Sequence, residues 1–270
     1  MAEENKLQTM QQGGALVASS EDMQGTMTRP EALDPNDRSG TEDITLEEIQ
    51  LPRLAIAQGL SPQVIPTEGS FIRGLVIGEM FNDVTGQIYG NGPLTVVPVK
   101  RHITRIEFDP NDRKVPLDRN VPAGDPRLQW DGDNPPCATE FVEFVCLLLL
   151  PQAKPEKVIV SIKTTNKYQR QAARLWRTLI KLREGPICSG YYHLCSKLEK
   201  GKTKDGQDTN FGVFVVKNAG YIKLGTPYGD ALFAYAKEFM AQIEGKEIVT
   251  EREAEEPAGP VDTSFDTRGM

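Results

Sequence analysis

One amphipathic segment, KTTNKYQRQAARLWRTLIKLRE at residues 163–184, stands between two sets of strand-like segments, and that order restricts the folds open to the chain. Upstream lie SFIRGLVIGEMF (70–81), GQIYG (86–90) and PLTVVPVKRHITRIEF (93–108), separated by turn residues in the manner of hairpins. TEFVEFVCLLLL (139–150) and KVIVSI (157–162) follow, apolar with little alternation, which marks strands buried on both faces. Downstream, GYYHLCSKL (190–198) and NFGVFVVKNAGYI (210–222) are joined by a polar turn. A closing helix over 227–244 carries Leu232, Tyr235, Ala236, Phe239 and Ile243 on one face. Several strands, a helix, two strands and a helix predict a mainly β chain with α (α+β). The expected form is an OB-fold-like, partly open barrel with a helix between strands and a C-terminal helix. More than five strands are expected, so the barrel needs additions.

The flanks differ from this body. Residues 1–44 contain no aromatic residue and few β-branched ones, a composition that buries too little apolar surface to offset the entropy of ordering. Residues 245–270 are similarly polar. The expected organisation is a disordered acidic N-terminal segment (1–44), an OB-like nucleic-acid-binding domain (45–244) and a disordered acidic C-terminal tail (245–270). Thr45 and Glu48 form a capping box for a short helix ended by Pro52. Residues 109–136 hold six prolines and no apolar periodicity, which predicts a long loop within the domain.

Charge follows the same division. The net charge of −7 separates into −8 over residues 1–50, +6 over 51–240 and −5 over 241–270. From Lys157 to Arg183 there are eight basic side chains and no acidic one. Within that stretch Tyr168, Ala172, Leu175, Leu179 and Leu182 recur at spacings of 4, 3, 4 and 3, an apolar helical stripe. Lys167, Arg170, Arg174, Arg177 and Lys181 run at 3, 4, 3 and 4 on the other side, with Asn166 as the N-cap. Solvated helix faces usually alternate sign to gain pairs one turn apart, and like charges at that spacing repel. An unmixed row of cations predicts an anionic partner, phosphate first.

Other chemistry finds little support. GKT at 201–203 lacks the glycine spacing of a phosphate-binding loop. Cys188, His193, Cys195 and Cys137 lack a C-x₂-C pair, and buried thiols account for them better than zinc. Nothing sets either histidine, His102 or His193, beside a nucleophile. The expectation is a protein that is not an enzyme and has no cofactor or metal. Without a secretory start or an apolar run of membrane-spanning length, a cytoplasmic protein that engages no membrane is expected.

Single strands bind proteins through cations that follow the backbone and aromatic rings that stack on bases. The candidates here are Lys163, Lys167, Arg170, Arg174, Arg177 and Lys181, with Trp130, Tyr191 and Phe211 as stacking rings. LPRLAIAQGLSPQV (51–64), GEMFNDVTGQIYG (78–90), the VVPVKRHITRIEF block, YYHLCSK and NFGVFVVKNAG together resemble a group of bacteriophage replication and recombination accessories. Some of these are described as single-stranded DNA-binding. A basic OB-like body followed by an acidic tail is also the layout of phage and bacterial single-stranded DNA-binding proteins. That resemblance implies a tail that recruits replication or recombination proteins and competes with DNA. Phe265 is not terminal here, and Arg268 follows it, a departure from the family pattern. The functional expectation is a protein that coats and protects single strands in phage replication or recombination. The alternatives are a virion structural or assembly protein whose basic helix meets an acidic partner, and an anti-host protein directed at a host factor.

Overall fold

The computed structural model describes residues 51–109, 115–129, 131, 136–151, 153–164, 167–202 and 208–244. Both expected tails, the capping box at Thr45, the N-cap Asn166 and Trp130 lie outside the described residues.

Three short strands, β1 (Leu54–Ile56), β2 (Met80–Asn82) and β3 (Ile88–Gly90), form a small antiparallel sheet in that order. The main elements then follow: β4 (Leu94–Phe108), β5 (Pro116–Asp118), β6 (Ala138–Leu149), β7 (Glu156–Lys163), α1 (Lys167–Leu182), β8 (Gly190–Lys202), β9 (Asp208–Tyr221) and α2 (Pro227–Gln242). The second sheet is antiparallel throughout, ordered β7-β6-β4-β8-β9, with β5 paired to the far end of β4. Setting β5 aside, α1 falls between the third and fourth strands. The fold is therefore α+β and mostly β, an open OB-like barrel, as the order of segments implies.

β4 is the hub. Its whole length pairs with β6, but only Leu94–Val96 pairs with β8. Register shifts between Pro98 and Lys100, where an extra residue enters the strand. Such a bulge bends the strand and accommodates a proline that cannot donate to the ladder. β4 leaves β8 after Val96, just ahead of this bulge.

The sheet ends in two edge strands, β7 and β9, and residues flanking β1 reach both of them. At one end Ile159 of β7 donates its N–H to Pro52 O at 2.8 Å, beside a parallel bridge between Arg53 and Ile159. At the other, the Gln58 side chain pairs with β9 like a backbone strand. Gly212 N donates to Gln58 Oε1 at 2.8 Å, and Gln58 Nε2 donates to Gly212 O at 3.2 Å. Only glycine fits there, because a Cβ would stand 2.3 Å from Ile56 Cγ2. An edge with open backbone groups invites intermolecular pairing, and this arrangement covers it.

Both faces of the sheet are buried, which explains the apolar runs. Val142, Phe144, Cys146 and Leu148 of β6 pack inward with Val96, Val160, Tyr192, Leu194 and Trp176 of α1. Val145 and Leu147 face the other way, under Leu232, Ala236 and Phe239 of α2. The α2 face therefore matches its sequence periodicity. The segment 70–78 differs from expectation: it turns instead of running extended. Gly74 and Gly78 adopt φ of 90° and 93°, and Val76 and Ile77 are left exposed. The long loop also contains structure, since Arg127 there binds Glu107, Asp118 and Asp125.

The seam is testable. Replacing Gln58 by Ala leaves the N–H of buried Gly212 without its acceptor and should cost about 1–3 kcal/mol in urea unfolding. Gly212→Ala should cost a similar ~1–3 kcal/mol by overpacking. That cost should shrink when Ile56→Ala removes the opposing methyl. Two independent losses in the double variant would mean that the seam does not depend on this contact.

Candidate nucleic-acid interface

α1 is seated by a single large side chain. Trp176 is fully buried and stacks on Phe144 of β6, with centroids 4.0 Å apart and planes 23° apart. Its other side meets Tyr192 at 5.9 Å. Ala172 and Ala173, also buried, let the helix approach the barrel closely. Near the first turn Gln169 Nε2 donates to Gly212 O at 3.4 Å. The buried stripe is thus Ala172, Ala173 and Trp176, with Ile180 and Leu179 partly buried beside it. This corrects the stripe expected from spacing: Tyr168, Leu175 and Leu182 are 38%, 46% and 76% exposed. The physical reason is the bulk of Trp176, whose burial outweighs that of the two leucines and turns the helix toward itself.

The other end of the helix is clamped. The Arg183 guanidinium lies over the rings of Tyr192 and Tyr221, 4.7 and 4.6 Å from their centroids. It donates to Gly220 O at 2.6 Å and to the Asn218 side-chain oxygen. A Cβ on Gly190 would fall 0.8 Å from Arg183 Nη1, so the clamp requires glycine at that position.

With the helix fixed at both ends, Lys167, Arg170, Arg174 and Lys181 are exposed together on its outer side. Arg177 is half-buried and donates from Nε to the Ala173 carbonyl at 3.3 Å. Among the described residues no ion pair reaches α1. Ion pairs are instead found at Arg53 with Asp83, Arg105 with Glu140, Arg127 with its three carboxylates, and Lys197 with Glu199. Arg127 illustrates the contrast: its hydrogen bonds hold the Asp125 carboxyl down at about 2. Among the described residues, no carboxylate pairs in this way with a cation of α1.

The remaining candidates do not gather around this row. Lys163 ends β7, half-buried, in register with Phe141. Phe211 is buried, with its ring 6.0 Å from that of Tyr168, so solvent reaches the tyrosine and not the phenylalanine. Tyr191 faces the α2 side of the sheet, because its neighbour Tyr192 points inward to Trp176. Arg183, Tyr221 and Tyr168 join the site only in the fold, since spacing alone does not mark them as a group. An arginine just past a cationic helix, with two tyrosines in later strands, is the signal that the sequence carries. Of the four cysteines, Cys146 and Cys188 are buried, and burial pushes both thiols up. Among the described residues no three of His, Cys, Asp and Glu gather into a cation site. Nor is any described helix long and apolar enough to cross a membrane.

A family model described as Pam3 phage gp34-like protein matches residues 22–249. No curated protein and no solved structure gives a significant match.

Proposed function

The chain belongs to the Pam3 phage gp34-like family, and from that premise we propose that it is a phage single-stranded DNA-binding protein that coats and protects strands in replication or recombination. One observation carries the reading: Lys167, Arg170, Arg174 and Lys181 share one exposed helix face with no ion pair to it among the described residues. Like charges one turn apart repel, and a polyanion turns that repulsion into attraction. The open OB-like barrel adds support, since such barrels commonly carry oligonucleotides. Exposed Tyr168, beside the row, offers a ring for stacking.

A second reading has one observation in its favour. Leu175 and Leu182 are exposed at 46% and 76%, which phosphate binding does not use. A virion or assembly protein whose α1 meets an acidic, partly apolar partner subunit would use them. A gel shift with labelled oligonucleotides separates the two readings.

In that assay single-stranded DNA should bind more tightly than duplex of equal length, because paired bases hide the faces that rings stack on. Equal affinity would reduce the surface to a general polyanion site. Changing Arg170, Arg174 and Arg177 together to Ala should weaken binding at least about tenfold at low salt. The log–log salt slope should fall by about 0.7 for each phosphate that no longer meets a cation. Thermal unfolding should change little, since alanine favours helix and these side chains are not core. Unchanged binding by a folded triple variant would remove α1 from the interface.

The C-terminal thirty residues carry −5 against +6 on the body. Tethering holds them at an effective concentration on the order of millimolar, enough to compete with DNA for the cations. Deleting residues 245–270 should raise affinity for single strands at low salt, and the gain should fade as salt screens both interactions. Unchanged affinity at low salt would leave the tail as a docking peptide for replication or recombination proteins.

A further inference from the structure

The face of the sheet opposite α1 carries a second feature. A cross-strand row of side chains, Leu149, Thr95, His193 and Lys217, runs over β6, β4, β8 and β9. Residues paired across antiparallel strands share a face, so these four stand side by side. Tyr191 lies two positions along β8 on the same face, and Tyr228 projects from the first turn of α2. Leu149, Thr95, His193, Tyr191, Tyr228 and Ala219 line an open groove of about 320 Å³.

We propose that this groove accepts one nucleobase, stacked against Tyr191 or Tyr228, with its phosphate directed to Lys217 at the end of the row. Four features favour a nucleotide over a purely apolar guest. The walls present two phenol rings, and aromatic faces are the surfaces on which bases stack in sequence-tolerant binders. The floor is polar at one point, where Thr95 Oγ1 and His193 Nδ1 lie 3.2 Å apart. In the tautomer in which the threonine donates to Nδ1, Nε2–H is a donor suited to a base carbonyl. The row ends in a cation, exposed Lys217 opposite His193; the acidic residue two positions from Tyr228, Asp230, accepts a hydrogen bond from Gly225 N at 2.9 Å. The volume sits at the small end of ligand sites, about 300 Å³, which fits one nucleotide and not a duplex.

For a base within a strand, this inference rests on the single-stranded DNA reading. A free nucleotide shares the same chemistry. Two variants of the full chain test it without disturbing the core. Tyr228→Ala removes a wall that is 64% exposed, and Ala219→Trp fills the groove. Binding of an oligothymidylate by fluorescence anisotropy should weaken roughly fivefold or more in both variants. The salt slope should fall by no more than about 0.7, the single phosphate at Lys217. That limit separates the groove from α1, whose triple arginine variant loses up to three such contacts and lowers the slope by up to about 2. Both variants should melt like the parent, and His193→Ala offers a third probe if Ala219→Trp misfolds. If the parent binds the oligonucleotide and folded variants bind equally well, the groove inference fails and the α1 reading stands. If the parent binds no oligonucleotide, the α1 reading fails. Thymidine monophosphate titrated against the intact protein by NMR then decides the groove: shifts confined to Tyr228, Ala219 and His193 support it, and their absence overturns it.

Discussion

A single stacking contact, Trp176 against Phe144, sets which way α1 faces, and the character of the helix surface follows from it. The indole lies within the buried cluster that β6, β7 and β8 supply with Val142, Phe144, Val160 and Tyr192. Burying a side chain of this size is worth more than burying Leu175 or Leu182. The helix therefore turns its tryptophan inward and leaves those leucines in water. The cations end up exposed as a consequence of that choice. Arg183, held between Tyr192 and Tyr221, then stops the helix from swinging about its anchor. A helix surface fixed in this way would lose little conformational freedom on meeting a partner.

Much of the barrel was legible in the sequence because burial on both faces leaves a compositional trace. FVCLLLL and KVIVSI have few polar positions since one set of side chains packs inward and the next packs under α2. α2 reads correctly for the complementary reason: its apolar residues recur once per turn against a single partner surface. The α1 stripe misleads because two overlapping stripes exist, one of five modest residues and one built on a single tryptophan. Spacing counts positions, whereas packing weighs volume.

The site was less legible. Neighbouring residues of a strand point to opposite faces, so Tyr191 and Tyr192 look alike in sequence yet lie on different sides of the sheet. The groove is assembled from residues on several strands and the first turn of α2, and cross-strand register is invisible without the fold. Gly212 likewise reads as an interruption in a strand. Its reason appears only once Ile56 and Gln58 are seen against it.

The seam also dictates an order of events during synthesis. Gln58 emerges from the ribosome early, but its partner at Gly212 lies 154 residues further along the chain. Until β9 exists, the β1–β3 sheet has no edge to bridge on that side. Closing so long a loop is entropically slow, and contacts of this separation form late. Between the synthesis of β7, which ends at Lys163, and that of β9, which begins at Asp208, the nascent protein has one rim uncovered. For a chain with such apolar strands, that interval is its period of greatest vulnerability to aggregation.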